Sequence, residues 1–399
     1  MRSSVFYIVP TLKIGGAERQ LVALTRRLVQ KGWNVSVYSL YGEGPLLQEL
    51  EAGKVKVFLP PLKSADDSPS ALTGVFRLTV ATFHLLFVLL KEKPRIVHFF
   101  LPAAYLVGAP LAIIAGAPIR VVTRHSMNIY QQGRPLSRIA EKILHRRMQA
   151  IIAVSFSILR ELHDEERVPR DRLAVIHNGL DLAEFEDLPV QRTRAELHLD
   201  GTFVMVVVAN LIPYKGHSDL LKAIAIAKPD LPADWRLLVV GRDDGTGEEL
   251  RSLADRLGIE DKVRFLGQRN DVLSILCCSH VGLVPSHQEG LSIAILEGMA
   301  AGLPMIVTDV GGSSEMVIDG ESGLIVPPKN PQRLAEAIIK LAKEPDLRRR
   351  LGQSGRRLAQ QKFSLELCVE RHERLYSGLC DALPRSVNEI LLDSRAARD

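Results

Sequence analysis

Val5-Phe6-Tyr7-Ile8-Val9-Pro10-Thr11-Leu12-Lys13-Ile14-Gly15-Gly16-Ala17-Glu18 opens the first unit of the chain that can be read. Five apolar residues stop at a proline, a short loop ends in a glycine pair, and a helical segment over 17–30 follows, closed by Lys31-Gly32. Val35-Ser36-Val37-Tyr38-Ser39 then completes a strand, helix, strand unit, the building block of a parallel sheet. Further strand-like runs stand at 55–59, 96–100, 121–123 and 150–154. A second series begins after the polar stretch 187–200, at 203–208, 236–240, 263–266, 281–284, 304–307 and 323–326. The reading is an α/β chain of two Rossmann-like, doubly wound domains, 1–190 and 191–360. Their strand ends are expected to face each other across a crevice, where open sheets bind ligands. The charged end from Glu344 to Cys380 reads as helical, with 361–383 expected to pack back on the first domain and 384–399 as a frayed tail.

A chain of 399 residues is too long for one ordinary core, and 46% hydrophobic with 24% charged residues excludes a disordered or fibrous protein. Cys277, Cys278, Cys368 and Cys380 form neither a disulfide framework nor the C-x2-C pairs of a zinc site. The apolar run after Met1 is too short for a signal-peptide core, so a reduced, cytoplasmic chain is expected. Residues 101–119 carry no charge and approach the length of a bilayer span, but Pro102, Pro110 and Pro118 favour a helix buried on the sheet. Residues 1–150 hold 20 Lys and Arg against 8 Asp and Glu, an excess of +12 within a chain of net +5. Such a basic half suits an anionic leaflet or an acidic acceptor, and equally an ordinary solvated surface. Phe76, Val80, Phe83, His84, Phe87 and Leu90 share a face at helical spacing within it.

The richest chemistry lies in the block from Pro285 to Pro304, PSHQEGLSIAILEGMAAGLP. It follows a strand and opens a helix, so the amides of Leu291, Ser292 and Ile293 are expected to form an anion site. Glu297 lies eight residues after Glu289, and on a helix from Leu291 it stands about 9 Å along the axis.

That E-x7-E element, with the strand before it and Gly302-Leu303-Pro304 after it, resembles the signature of retaining GT-B glycosyltransferases of the family-4 type. Other blocks match in order: Gly15-Gly16-Ala17-Glu18, Val122-Thr123-Arg124-His125, Val175-Ile176-His177-Asn178-Gly179, Leu211-Ile212-Pro213-Tyr214-Lys215-Gly216, Val239-Val240-Gly241, Val263-Arg264-Phe265-Leu266-Gly267 and Gly311-Gly312-Ser313-Ser314-Glu315. The resemblance spans about residues 5–345. It implies sugar transfer from a nucleotide-diphosphate sugar, with no cofactor and no metal, to a saccharide or lipid-linked acceptor. It further implies that Lys215 neutralises the diphosphate, that the amides of 291–293 bind phosphate and that Glu297 holds the ribose. Glu289 and His125 would contact the transferred sugar, Gly15 and Gly16 would let the loop approach the donor, and Gly241 and Arg264 would line the donor site.

The chain departs from the family at one position. Members commonly carry Gly-Arg-Leu before the lysine, whereas this chain has Ala209-Asn210-Leu211. Asn210 can donate hydrogen bonds but brings no charge, so Arg242 or Arg264 is expected to supply the second cation, or donor binding is weaker. The expected function is retaining transfer to a cell-envelope saccharide, on the inner face of the cytoplasmic membrane where an anionic surface is a candidate partner and nucleic acid is not. A soluble small acceptor, or a non-catalytic nucleotide-sugar-binding protein, is the alternative.

Overall fold

The computed structural model describes residues 4–62, 71–131, 133–381 and 387. Two compact units divide the chain: residues 1–179 with the segment from Leu365 onward, and Leu180–Ser364.

The first unit is built on seven parallel strands, β1 Ser4–Val9, β2 Asn34–Ser39, β3 Lys56–Phe58, β4 Ile96–Phe100, β5 Ile119–Arg124, β6 Ala150–Ala153 and β7 Leu173–Val175. They lie in the order β3-β2-β1-β4-β5-β6-β7. The order reverses between β1 and β4, the point where an open sheet leaves room for a ligand at its carboxyl edge. Central strands such as Ile96–Phe100 are buried at every position, because helices cover both faces. The run 101–119 resolves into helix Pro102–Ile114 and the start of β5, with Ala104, Tyr105, Ala109 and Ala112 buried, so it is a layer helix.

Helix Ala71–Glu92 is long and apolar enough to cross a membrane by length and composition. It packs inward through Ala81, Leu85, Val88 and Leu89, while Phe76, Phe83, Phe87 and Leu90 of the expected face stand in solvent. His84 leaves that face and hydrogen-bonds Tyr38 at 3.1 Å.

The second unit has six parallel strands, β8 Phe203–Val208, β9 Trp235–Val240, β10 Val263–Gly267, β11 Val281–Val284, β12 Met305–Thr308 and β13 Gly323–Val326. Their order is β10-β9-β8-β11-β12-β13, with the reversal between β8 and β11.

The boundary differs from the expected one. Leu180 donates to the Phe363 carbonyl at 2.9 Å, and Cys278 Sγ bonds the Val190 carbonyl, so 180–190 belongs to the second unit. The charged helical end is also two elements with different homes. Helix Pro345–Lys362 packs on the second sheet, and helix Leu365–Cys380 returns to the first unit, burying Cys368, Val369, Leu375 and Tyr376 in its core. A buried hydrogen-bond chain fastens this helix: Tyr7 Oη to Tyr376 Oη at 2.7 Å, Tyr376 to His98 Nδ1 at 2.6 Å, and His98 Nε2 to Thr123 Oγ1 at 2.7 Å. His98, fully buried, is therefore a core residue. The expected frayed tail 384–399 lies outside the described residues apart from Val387.

Candidate active site

Each unit gathers its candidate residues at the carboxyl edge of its sheet. In the first, Gly15 and Gly16 follow β1 and His125 follows β5. Gly15 is the N-cap of helix Gly16–Gln30, and a Cβ there would fall 2.4 Å from the Glu18 carboxylate, which folds back over the cap. A side chain at this position would require the flexible Glu18 carboxylate to move aside. Burial pushes the Glu18 carboxyl above its usual range.

The imidazole of His125 packs against Phe100, ring centroids 4.9 Å apart, and neither buried ring nitrogen has a partner among the described residues. Burial, and then the nearby His372, lower its pKa to about 3. The ring is neutral at physiological pH, with one donor and one acceptor free for a ligand. Beside it, Arg124 pairs with Glu141 at 2.7 Å and with Glu166, while His145 Nε2 donates to the Glu166 carboxylate at 2.8 Å and its Nδ1 accepts from Tyr105 Oη at 2.8 Å. Glu141, His145 and Glu166 lie close enough to share a cation. The Arg124 guanidinium already supplies that charge to both carboxylates.

In the second unit, Lys215 follows β8 and Glu289 follows β11, so the two residues flank the reversal of strand order. Lys215 Nζ meets Glu289 Oε1 at 2.7 Å, and the same oxygen accepts from Ser286 Oγ at 2.7 Å. Glu289 is 8% exposed, so its charge is held by these two donors in a largely dry site. Ser286 stood in the quoted block, but only its distance to Glu289 reveals it as a partner.

Backbone packing forms the rest of the site. Gly216 has φ +72°, and a Cβ there would lie 2.0 Å from the Pro285 carbonyl. Gly311 has φ +52°, with its Cβ position 1.7 Å from the Glu289 carbonyl, and Gly312 N donates to the Gly290 carbonyl at 3.1 Å. The Gly311-Gly312 pair thus lets a second loop lie directly on the backbone that carries Glu289.

Helix Ile293–Ala300 begins two residues later than expected, with Ser292 as an extended N-cap that makes no side-chain cap bond. Leu291 and Ser292 are buried at its mouth, and Glu297 is buried one turn in, about 6 Å along the axis from Ile293.

The two expected substitutes for the missing cation part company. Arg264 lies within β10 opposite Leu238 and donates to the Leu197 carbonyl, so its guanidinium is spent on a backbone group and does not join Asn210. Arg242 does. Its amide donates to Asn210 Oδ1 at 3.3 Å, and its guanidinium forms a two-pronged pair with Asp244 at 2.6 and 3.0 Å. Asn210 Nδ2 donates to the same Asp244 at 3.0 Å. The Asp244 pair holds the half-exposed Arg242 guanidinium above its usual pKa. Gly241 sits beneath this group, since a Cβ there would fall 2.0 Å from the Ala209 carbonyl.

Two parallel-sheet Rossmann-like units, each with candidate residues after strands that flank or neighbour its reversal of strand order, have the architecture of a GT-B protein. Anabaena HepE, solved in complex with UDP and glucose, superposes with a TM-score of 0.82 at 21% identity over 94% of this chain and 100% of that one. The glycosyl transferases group 1 model matches residues 190–358 and the glycosyltransferase family 4 model matches 14–184. The chain belongs to the family-4 GT-B glycosyltransferases. N-acetyl-alpha-D-glucosaminyl L-malate synthase of Bacillus anthracis is 27% identical over 70% of this chain and 73% of its own length. Capsular polysaccharide biosynthesis glycosyltransferase CapM of Staphylococcus aureus is 27% identical over 86% and 90%.

Proposed function

We propose that this glycosyltransferase moves a sugar from a nucleotide-diphosphate donor to a hydroxyl of a lipid-linked or cell-envelope saccharide, with retention of configuration and without a metal or cofactor. The observation that carries the reading is the Lys215–Glu289 pair at the β8/β11 reversal, beside the N-terminus of helix Ile293–Ala300. Lys215 takes the diphosphate as the bond to the anomeric carbon breaks, and the amides of Leu291, Ser292 and Ile293 share that charge. Glu297 accepts from the ribose hydroxyls. Glu289 accepts from the sugar and faces the positive charge at the anomeric carbon. The acceptor hydroxyl attacks from the face the phosphate leaves, and the departing phosphate oxygen takes its proton. Neutral His125 hydrogen-bonds the sugar or the incoming hydroxyl.

The phenyl stripe on helix Ala71–Glu92 and the basic first half support a peripheral place on the inner face of the cytoplasmic membrane. The capsular role in CapM's name supports an envelope acceptor, while the L-malate synthase relative keeps a small soluble acceptor as the second reading. Incubation of the purified protein with UDP-, GDP- and ADP-sugars is expected to release free sugar slowly from one nucleotide class, with the α-anomer first from an α-linked donor. No hydrolysis of any donor would leave the non-catalytic alternative; release of the opposite anomer would exclude retention.

Within this reading, Arg242 is the second diphosphate cation and Asn210 with Asp244 holds it ready. Arg242→Ala is expected to weaken nucleotide-diphosphate binding about tenfold by titration calorimetry, the scale of one charge-assisted hydrogen bond. Asn210→Arg should be neutral or harmful, because a further cation crowds Arg242. A tenfold gain from Asn210→Arg with a silent Arg242→Ala would show instead that the site merely lacks a charge.

A further inference from the structure

Helix Pro135–His145 is turned inside out. Leu136, Ile139 and Ile143, spaced to share one face, are 81%, 55% and 58% exposed, while Glu141 and His145 are buried. A helix at a protein surface ordinarily buries its apolar stripe and leaves its charges in water. The reversal is locked from within: Arg124 holds Glu141 at 2.7 Å, and Glu166 and Tyr105 hold the two nitrogens of His145 at 2.8 Å each. Rotating the stripe inward would break all three contacts, put Glu141 and His145 into water, and leave the buried Arg124–Glu166 pair without its remaining partners. The outward face is therefore a stable property of the fold.

The charge around that face has one sign. Between residues 93 and 160 the only acid in the sequence is Glu141, and it is spent inside the unit. Arg138 on the same helix and Arg146, its C-cap, are exposed, and Lys142 is half-exposed between them. The neighbouring helix Pro102–Ile114 packs against it and ends in Ile114, which is 69% exposed, and helix Ala71–Glu92 packs on that one in turn. Three helices, each packed on the next, thus leave large apolar side chains in water.

We propose that helix Pro135–His145 is an interfacial anchor for an anionic bilayer. Leu136, Ile139 and Ile143 enter the boundary below the headgroups, and Arg138, Lys142 and Arg146 meet the lipid phosphates. The inference rests on the peripheral-membrane reading above and assigns it a surface and a lipid charge. A second copy of the chain is the poorer occupant, because a two-fold contact through this face would set its cations against themselves. The buried side of the anchor holds Arg124, the residue next to His125, so a docked helix fixes the candidate site residue relative to the membrane through one ion pair.

The test is sedimentation of the full chain with phosphatidylcholine vesicles, with and without phosphatidylglycerol. Three proteins are compared: wild type, Leu136→Ser/Ile139→Ser/Ile143→Ser, and Arg138→Gln/Lys142→Gln/Arg146→Gln. Wild type is expected to bind only the anionic vesicles and to release as salt rises. The basic-to-Gln protein should bind them about 100-fold more weakly, the apolar-to-Ser protein at least about tenfold more weakly. Donor hydrolysis without vesicles should match wild type in both, which shows that they are folded. If wild type binds and both variants bind equally well, this helix is not the anchor, and the peripheral reading falls back on helix Ala71–Glu92. Wild type indifferent to anionic lipid overturns the peripheral reading and this inference together, leaving the donor reading untouched. A wild-type dimer that the Ser variants disperse, seen by light scattering, overturns it in favour of a second copy.

Discussion

Lys215→Ala is expected to lower kcat for sugar transfer by about 100-fold or more, the loss that follows removal of a preorganised electrostatic stabiliser. The ammonium matters most when the diphosphate leaves, so its loss falls on the chemical step. Lys215 rests on Glu289 at 2.7 Å, with Ser286 on the same carboxylate oxygen. Its removal therefore also leaves Glu289, buried and charged, to Ser286. Glu297→Ala is expected to act differently and mainly raise the donor KM, because a contact to the ribose is made alike in the ground state and the transition state. Steady-state kinetics with varied donor separate the two. Wild-type kinetics in both proteins would overturn the assignment of this site.

Arg124→Met should destabilise the first unit by about 3 to 5 kcal/mol, the usual cost of removing one partner from a buried ion pair. The guanidinium serves two carboxylates, Glu141 and Glu166, whose side chains are fully buried. Their protonation shows what it supports. Burial pushes the Glu141 carboxyl up, whereas for Glu166 the His145 hydrogen bond and Arg124 together outweigh burial and hold it below the usual range. Methionine fills much of the arginine's volume but leaves both acids without their cation. The expected fall in melting temperature is about 10 °C, at about 2 to 4 °C per kcal/mol for a unit of this size. Glu141→Gln should cost less, because Arg124 keeps Glu166 and the amide can still pair with Gln131, now 3.0 Å from the carboxylate. Melting within 2 °C of wild type for Arg124→Met would show that water reaches this cluster and replaces the guanidinium.

Much of the chain could be read without its structure, for a local reason. A parallel strand buried on both faces is written as a short apolar run, and a helix as a longer periodic one, so elements such as Ile96–Phe100, Phe203–Val208 and Val281–Val284 follow from neighbouring residues alone. The short strand β7, Leu173–Val175, escaped because three residues carry too little pattern, although its last residue, Val175, opens a quoted motif. The glutamate block and Lys215 were legible because each follows a strand directly, which places it at a sheet edge whatever the rest of the chain does.

Pairing between distant residues carries no such local trace. Arg242 and Arg264 are equivalent as sequence, yet the fold brings the Arg242 amide to Asn210 and the Arg264 guanidinium to the Leu197 carbonyl. The unit boundary at Leu180 depends on a bond to Phe363, and the return of helix Leu365–Cys380 on hydroxyl contacts among Tyr7, Tyr376 and His98. Helix Pro135–His145 is the plainest case. Its periodicity defines an apolar stripe, but which way the stripe faces was decided by contacts between distant residues, Arg124 with Glu141 and Glu166 with His145, that hold Glu141 and His145 inward.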